Sequence, residues 1–128
     1  MTYYLNKTLE MDFEQAISKV SEELKKEGFG ILSEIDVSAT LEKKLKVEFP
    51  RYTILGACNP PFAYQALQVE PRIGLMLPCN VIVRELAERE IEVAAVDPLA
   101  SMQAIHNRAL EPIAVEIKER LERVVAQL

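Results

Sequence analysis

Apolar and polar positions recur along this chain with two periods, and the switches between them mark out its elements. Residues 2–9 are partly β-branched or aromatic and read as a first strand. Asp12 then stands as a helix N-cap, with Gln15 as its reciprocal partner. Phe13, Ala16, Ile17, Val20 and Leu24 form one apolar stripe at helical spacing. Gly28 follows where a left-handed C-terminal cap is expected. Residues 31–37 alternate, which predicts a second strand with Ile31, Ser33, Ile35 and Val37 on one face. Ser38-Ala39-Thr40 can cap a short helix carrying Leu41 and Leu45, and Pro50 ends that region. Residues 52–58 form a mostly apolar third strand. Asn59 then caps a short helix with Pro60 at its first position, closed by Pro71.

Residues 73–86 are apolar but interrupted by Pro78, so this segment is an edge, a strand start or a bulge. Val81-Ile82-Val83 is strongly strand-forming. A polar turn at residues 87–90 leads into a fifth strand at 91–96, and the last two strands read as a hairpin. Asp97-Pro98 breaks it. A final helix has Pro112 in its first turn and Ile113, Ile117, Leu121, Val124 and Leu128 as its stripe. The order predicts an α+β fold: an antiparallel sheet of about five strands with helices packed on one face. The stretch around Val81-Ile82-Val83 needs cover on its second face as well, either from the short helices or from a dimer partner.

Composition narrows the function classes. The 128 residues make a single domain, residues 1–128, with 49% hydrophobic and 27% charged residues. A net charge of −5 opposes nucleic-acid binding, which needs a basic footprint, and docking on anionic lipid. No basic-apolar leader and no long apolar run are present, so the expectation is a cytoplasmic protein without membrane contact. Its two cysteines are then expected as reduced thiols.

Those cysteines carry the main chemical signal. Cys58 lies in Leu55-Gly56-Ala57-Cys58-Asn59-Pro60, and Cys79 in Leu77-Pro78-Cys79-Asn80-Val81. Each is followed by Asn and flanked by Pro. With Asp97-Pro98 downstream, these segments make the chain similar to a bacterial and archaeal family, the domain of unknown function numbered three hundred and two. The resemblance covers nearly the whole chain. It implies a β-α-β(4)-α arrangement like that of the TATA-binding protein, and homodimers. The family has no established activity, so no catalytic residue carries over. Sharing a fold with a DNA-binding protein is not evidence of DNA binding. The turn after the fourth strand often carries Gly in such proteins, whereas Glu88-Arg89-Glu90 stands here.

Read on their own chemistry, Cys58 and Cys79 are either two small buried hydrophobes or a reactive or ligand-binding pair, with Asn59 and Asn80 as a polar lining beside them. Cys58 stands next to a helix N-terminus, which stabilises a thiolate. A permanent disulfide is not expected, and no C-x-x-C motif is present. Two thiolates with the Met102 thioether suit a soft ion such as Cu(I), but Met102 reads better as core and His106 as solvated. Asn59 has a structural role as a cap. Asp97 stands at no recognisable spacing from a nucleophile, and no phosphate loop or nucleophile elbow occurs. The sequence therefore ranks a homodimeric small-molecule or soft-metal binding module first. A structural domain with packed cysteines comes second, and a thiol-dependent redox or sulfur-transfer enzyme third. It names no cofactor.

Overall fold

Residues 2–128 are described by a computed structural model of the chain. Five strands, β1 (Tyr4–Glu10), β2 (Gly30–Asp36), β3 (Tyr52–Cys58), β4 (Cys79–Ala87) and β5 (Glu90–Val96), form one sheet in the order β1-β5-β4-β3-β2. Every neighbouring pair is antiparallel. The helices are α1 (Phe13–Lys26), α2 (Val37–Leu45), α3 (Pro60–Val69), α4 (Pro98–Met102) and α5 (Glu111–Ala126). This is the α+β arrangement that the sequence pattern predicts.

The register explains where the core lies. Cα partners across an antiparallel pair share a face, and successive residues alternate between faces. Leu55 pairs with Val81, and Val81 with Ala95. These three, with Ala57, Val83, Ile91 and Val93, are buried on one face. Helix α1 covers that face with Phe13, Ala16, Val20 and Leu24, and α5 with Ile113, Ile117, Leu121 and Val124. Both predicted stripes are thus the helix faces that make the core, each large aliphatic side chain contributing about 1.5–3 kcal/mol when fully buried. Ile17 lies half-buried at the margin of its stripe.

The opposite face is open and partly apolar. The pairings Ile35↔Ile54, Ile54↔Ile82 and Ile82↔Ala94 set a continuous apolar row across four strands. Ile35 is 49% exposed. Beside this row, the Arg84 Nε donates to Glu92 at 2.6 Å, and the Asn6 amide donates to the same carboxylate at 2.9 Å. These two donors hold the Glu92 carboxyl below its ordinary range, the Asn6 bond contributing most.

Several local expectations change in three dimensions. A bulge between Ile31 and Ser33 breaks the alternation of β2. Ile31 pairs with Ala57 on the covered face, while Ser33 and Ile35 pair with Gly56 and Ile54 on the open one. Val37 belongs to α2 instead of the strand. The cap of α2 is Asp36, which accepts from the Ala39 N–H at 2.9 Å and the Ser38 hydroxyl at 2.7 Å. Leu45 is 66% exposed and no residue of α2 is buried, so α2 packs no stripe against the core.

Asp12 occupies the N-cap of α1 without a side-chain cap bond; its carboxylate instead meets Arg89 at 3.2 Å. Pro78 directly precedes β4, so the proline marks a strand start, and β4 is a central strand. Pro71 opens a 3-10 turn, Pro71–Met76, directly after α3. The hairpin turn dispenses with glycine because Arg89 takes the left-handed conformation, φ 60°. Gly56 meets a tighter requirement: a Cβ there would lie 2.3 Å from the Ser33 Oγ and 2.8 Å from the Pro78 ring. The rigid ring cannot rotate away, so only glycine fits between them.

Candidate functional site

Strand alternation decides the relation of the two cysteines. Ala57 pairs with Cys79, so their side chains share the covered face. Cys58, one residue on, turns to the other. Cys79 is 6% exposed within the hydrophobic core. Burial pushes its thiol up to about 11, and the nearby Cys58 adds a smaller push in the same direction. Cys58 is half-buried, and both thiols are free. Cys79 is thus a neutral, buried thiol on the covered face, and Cys58 a half-buried thiol on the other, close enough to interact with it.

The two asparagines also part. Asn59 is 6% exposed and stands at the N-cap of α3, but its side chain makes no cap bond. Its amide instead donates to the Glu27 carbonyl at 3.2 Å, and Arg120 Nη1 donates to the same carbonyl at 3.0 Å. Asn59 therefore ties α3 to the end of α1. The Gly28 turn comes close enough that a Cβ there would lie 3.2 Å from the Asn59 amide. Asn80 pairs with Gly56 on the open face and is exposed. Among the described residues no group of three or more His, Cys, Asp or Glu side chains is placed to hold a metal ion.

A concavity lies elsewhere, between the start of β1, the segment after β5 and the first half of α5. It has a volume of about 880 Å³. Its apolar wall includes Leu5, Leu99, Met102, Leu110 and Ala114. Its polar lining includes Asp97, His106, Arg108, Glu111 and Lys118. Pockets of roughly 300–1,000 Å³ with an apolar wall and a few polar groups are the size and chemistry of small-molecule sites.

Two devices hold this concavity in shape. The first is Asp97, 7% exposed. Its Oδ1 accepts from the Leu99 N–H at 2.9 Å, and its Oδ2 meets Lys118 Nζ at 2.9 Å. Its own N–H donates to the Tyr3 carbonyl at 2.8 Å. One residue thus caps α4, ties it to α5 and extends the chain next to β1. The Asp97 bond also raises the Lys118 ammonium above its ordinary range. The second device is Asn107. Its amide donates to the Val69 carbonyl at 2.9 Å and to Glu70 at 3.2 Å, and its Oδ1 accepts from the Ala109 N–H at 3.0 Å. These bonds pin the neighbouring His106 and Arg108 at the concavity.

The sequence pattern places Met102 in the core and His106 in solvent, and the structure has Met102 6% exposed and His106 exposed. They do not share a helical face. The helix ends at Met102, a 3-10 turn follows, and His106 takes the left-handed conformation, φ 55°. Arg108, Glu111 and Lys118 also line the concavity, with no mark in the sequence. Nothing in their spacing sets them apart from ordinary surface charge, and only Asp97-Pro98 marked this end of the sheet.

No curated protein matches the chain. Among solved structures it is similar to an uncharacterised conserved DUF302 protein from Bacillus stearothermophilus, at 26% sequence identity and a TM-score of 0.91 over 99% of this chain and 98% of that one. The model of the domain of unknown function DUF302 matches residues 5–128. That match spans both cysteine segments, Asp97 and the whole of α5, and the chain belongs to the DUF302 family.

Proposed function

We propose that this domain is a non-catalytic binding module whose small-molecule ligand occupies the concavity between β1, α4 and α5. The observation that carries the reading is the 880 Å³ volume walled by Leu5, Leu99 and Met102, with an ion-paired Asp97 and Lys118 on its lining. Preorganised polar groups beside an apolar wall favour binding of an amphipathic small molecule. The burial of Cys79 and its face opposite Cys58 weigh against a ligand, a soft ion or a redox step held by the thiol pair. In this reading Cys79 is a packing residue and Asn59 a structural tie.

The chain contains no tryptophan, so Leu99→Trp both fills the concavity and introduces a single indole there. Nile red added to the native protein is expected to gain fluorescence on binding. Leu99→Trp is expected to abolish that gain without changing the cooperativity of unfolding, and Cys58→Ser to leave it intact. Equal dye binding by wild type and Leu99→Trp would place the dye outside the concavity and defeat the reading.

The module also self-associates in this proposal, through its open sheet face. The row Ile35, Ile54, Ile82 and Ala94 supplies apolar area, and the charges beside it, Arg84 and Glu92, already neutralise each other. Two such faces can pack along this row in a two-fold interface that leaves the like-charged pair Glu10 and Glu90, at the far end of the same face, in solvent at the rim. Sedimentation equilibrium is expected to report a dimer for the wild type and a folded monomer for Ile82→Arg. A monomeric wild type at high protein concentration would remove this part of the proposal.

A further inference from the structure

Among the charged groups around the concavity, two are already engaged. Asp97 is buried and satisfied by Lys118 and the Leu99 N–H, so it offers an incoming molecule no free charge. Lys118 directs one donor to Asp97, and an ammonium carries three. Arg108 and Glu111 differ from these. Both are exposed, and among the described residues neither is held in a side-chain hydrogen bond or ion pair of the kind that fixes Lys118. Glu111 lies in the first turn of α5, where its charge is favourably placed against the helix dipole without any ligand. Arg108 has no such role. The Asn107 bonds hold its backbone beside the concavity, and its planar fork matches a carboxylate.

We propose, resting on the binding-module reading, that the ligand is an amphipathic carboxylate, its apolar body against Leu5, Leu99, Met102 and Leu110 and its head taken by Arg108 with the spare donors of Lys118. The apolar wall supplies most of the affinity, since each methylene removed from water contributes about 0.8 kcal/mol. The head group supplies the choice of charge. Arg108 selects for the anion, and Glu111 on the same lining opposes it.

This arrangement predicts opposite signs for two conservative substitutions at exposed positions. Octanoate, octylammonium and octanol share one apolar body, and each is titrated against Nile red bound to the native protein. Octanoate is expected to displace the dye at the lowest concentration of the three. Arg108→Gln is expected to weaken octanoate about threefold to fivefold, the size of a partly exposed charge contact, and Glu111→Gln to tighten it by a similar factor. For octylammonium both signs reverse, and octanol responds to neither. A purely structural role for either residue would move all three ligands together, which would overturn the proposal. So would a wild-type preference for octylammonium or octanol. If none of the three displaces a dye that Leu99→Trp does exclude, the carboxylate class is wrong while the concavity still binds. If the dye is not excluded by Leu99→Trp, the binding-module reading fails, and this inference with it.

Discussion

Leu55→Ala is expected to destabilise the protein by about 2–5 kcal/mol, the range for emptying a leucine site in a closely packed core. Leu55 is fully buried in β3, which has β2 on one side and β4 on the other. Its pairing partner Val81 is 1% exposed, and Ala57 two residues along is fully buried. Strands hydrogen-bonded on both sides cannot move inward to close a void, so the cost should fall in the upper part of that range. Urea unfolding monitored by circular dichroism gives the difference directly. A loss below about 1 kcal/mol would mean that the sheet relaxes around the vacancy, contrary to its rigid packing. The substitution lies outside the lining of the concavity, so dye binding by the folded fraction should persist.

The second large effect is a loss of stability in alkali that belongs to Cys79. Its folded thiol titrates at about 11, against an ordinary value of 9.0. Below pH 9 both the folded and unfolded thiols hold their protons, and the neutral thiol packs in the core at no ionisation cost. Between pH 9 and 11 the unfolded thiol has lost its proton while the folded one keeps it. The unfolded state then binds fewer protons, so stability falls as pH rises through this window. A shift of about two units corresponds to a loss on the order of 2–3 kcal/mol by pH 11. Lysines and tyrosines titrate in the same range, so the informative quantity is the difference between wild type and Cys79→Ala. The variant starts less stable near neutrality because of its smaller side chain, and its deficit should shrink, then reverse, as pH rises. Parallel pH profiles for the two proteins would show that Cys79 ionises as readily folded as unfolded, and its packing role would fall.

That packing role separates the two cysteines, whose matching neighbours in the sequence invite a joint reading. Both Cys-Asn segments lie at an end of a strand, and those strands are neighbours. Only the register reveals that a single residue of offset puts the thiols on opposite faces. A one-residue offset exchanges every side chain between core and solvent, and the matching residues around the two cysteines do not specify it. Similarly, the alternation at residues 31–37 is a valid strand signal, but the bulge at Ile31/Ser33 reassigns which of its residues face the helices.

The elements governed by local chemistry can be read directly from the chain. Two helices were legible from their stripes, β3 from its apolar run, and the hairpin from two strand-forming runs around a polar turn. The α+β class follows from that order, because each apolar stripe must find an apolar face. The proposed site, by contrast, exists only once the chain is folded. Asp97, Arg108 and Lys118 stand on three separate segments, and they line one concavity because Asp97 binds α5 through Lys118 while Asn107 anchors its loop to the end of α3. Such a site is assembled from long-range contacts between exposed or singly occurring polar residues. Those residues have no periodicity, so the chain's local pattern carries no record of their meeting, whereas burial of apolar surface recurs at every turn and leaves one.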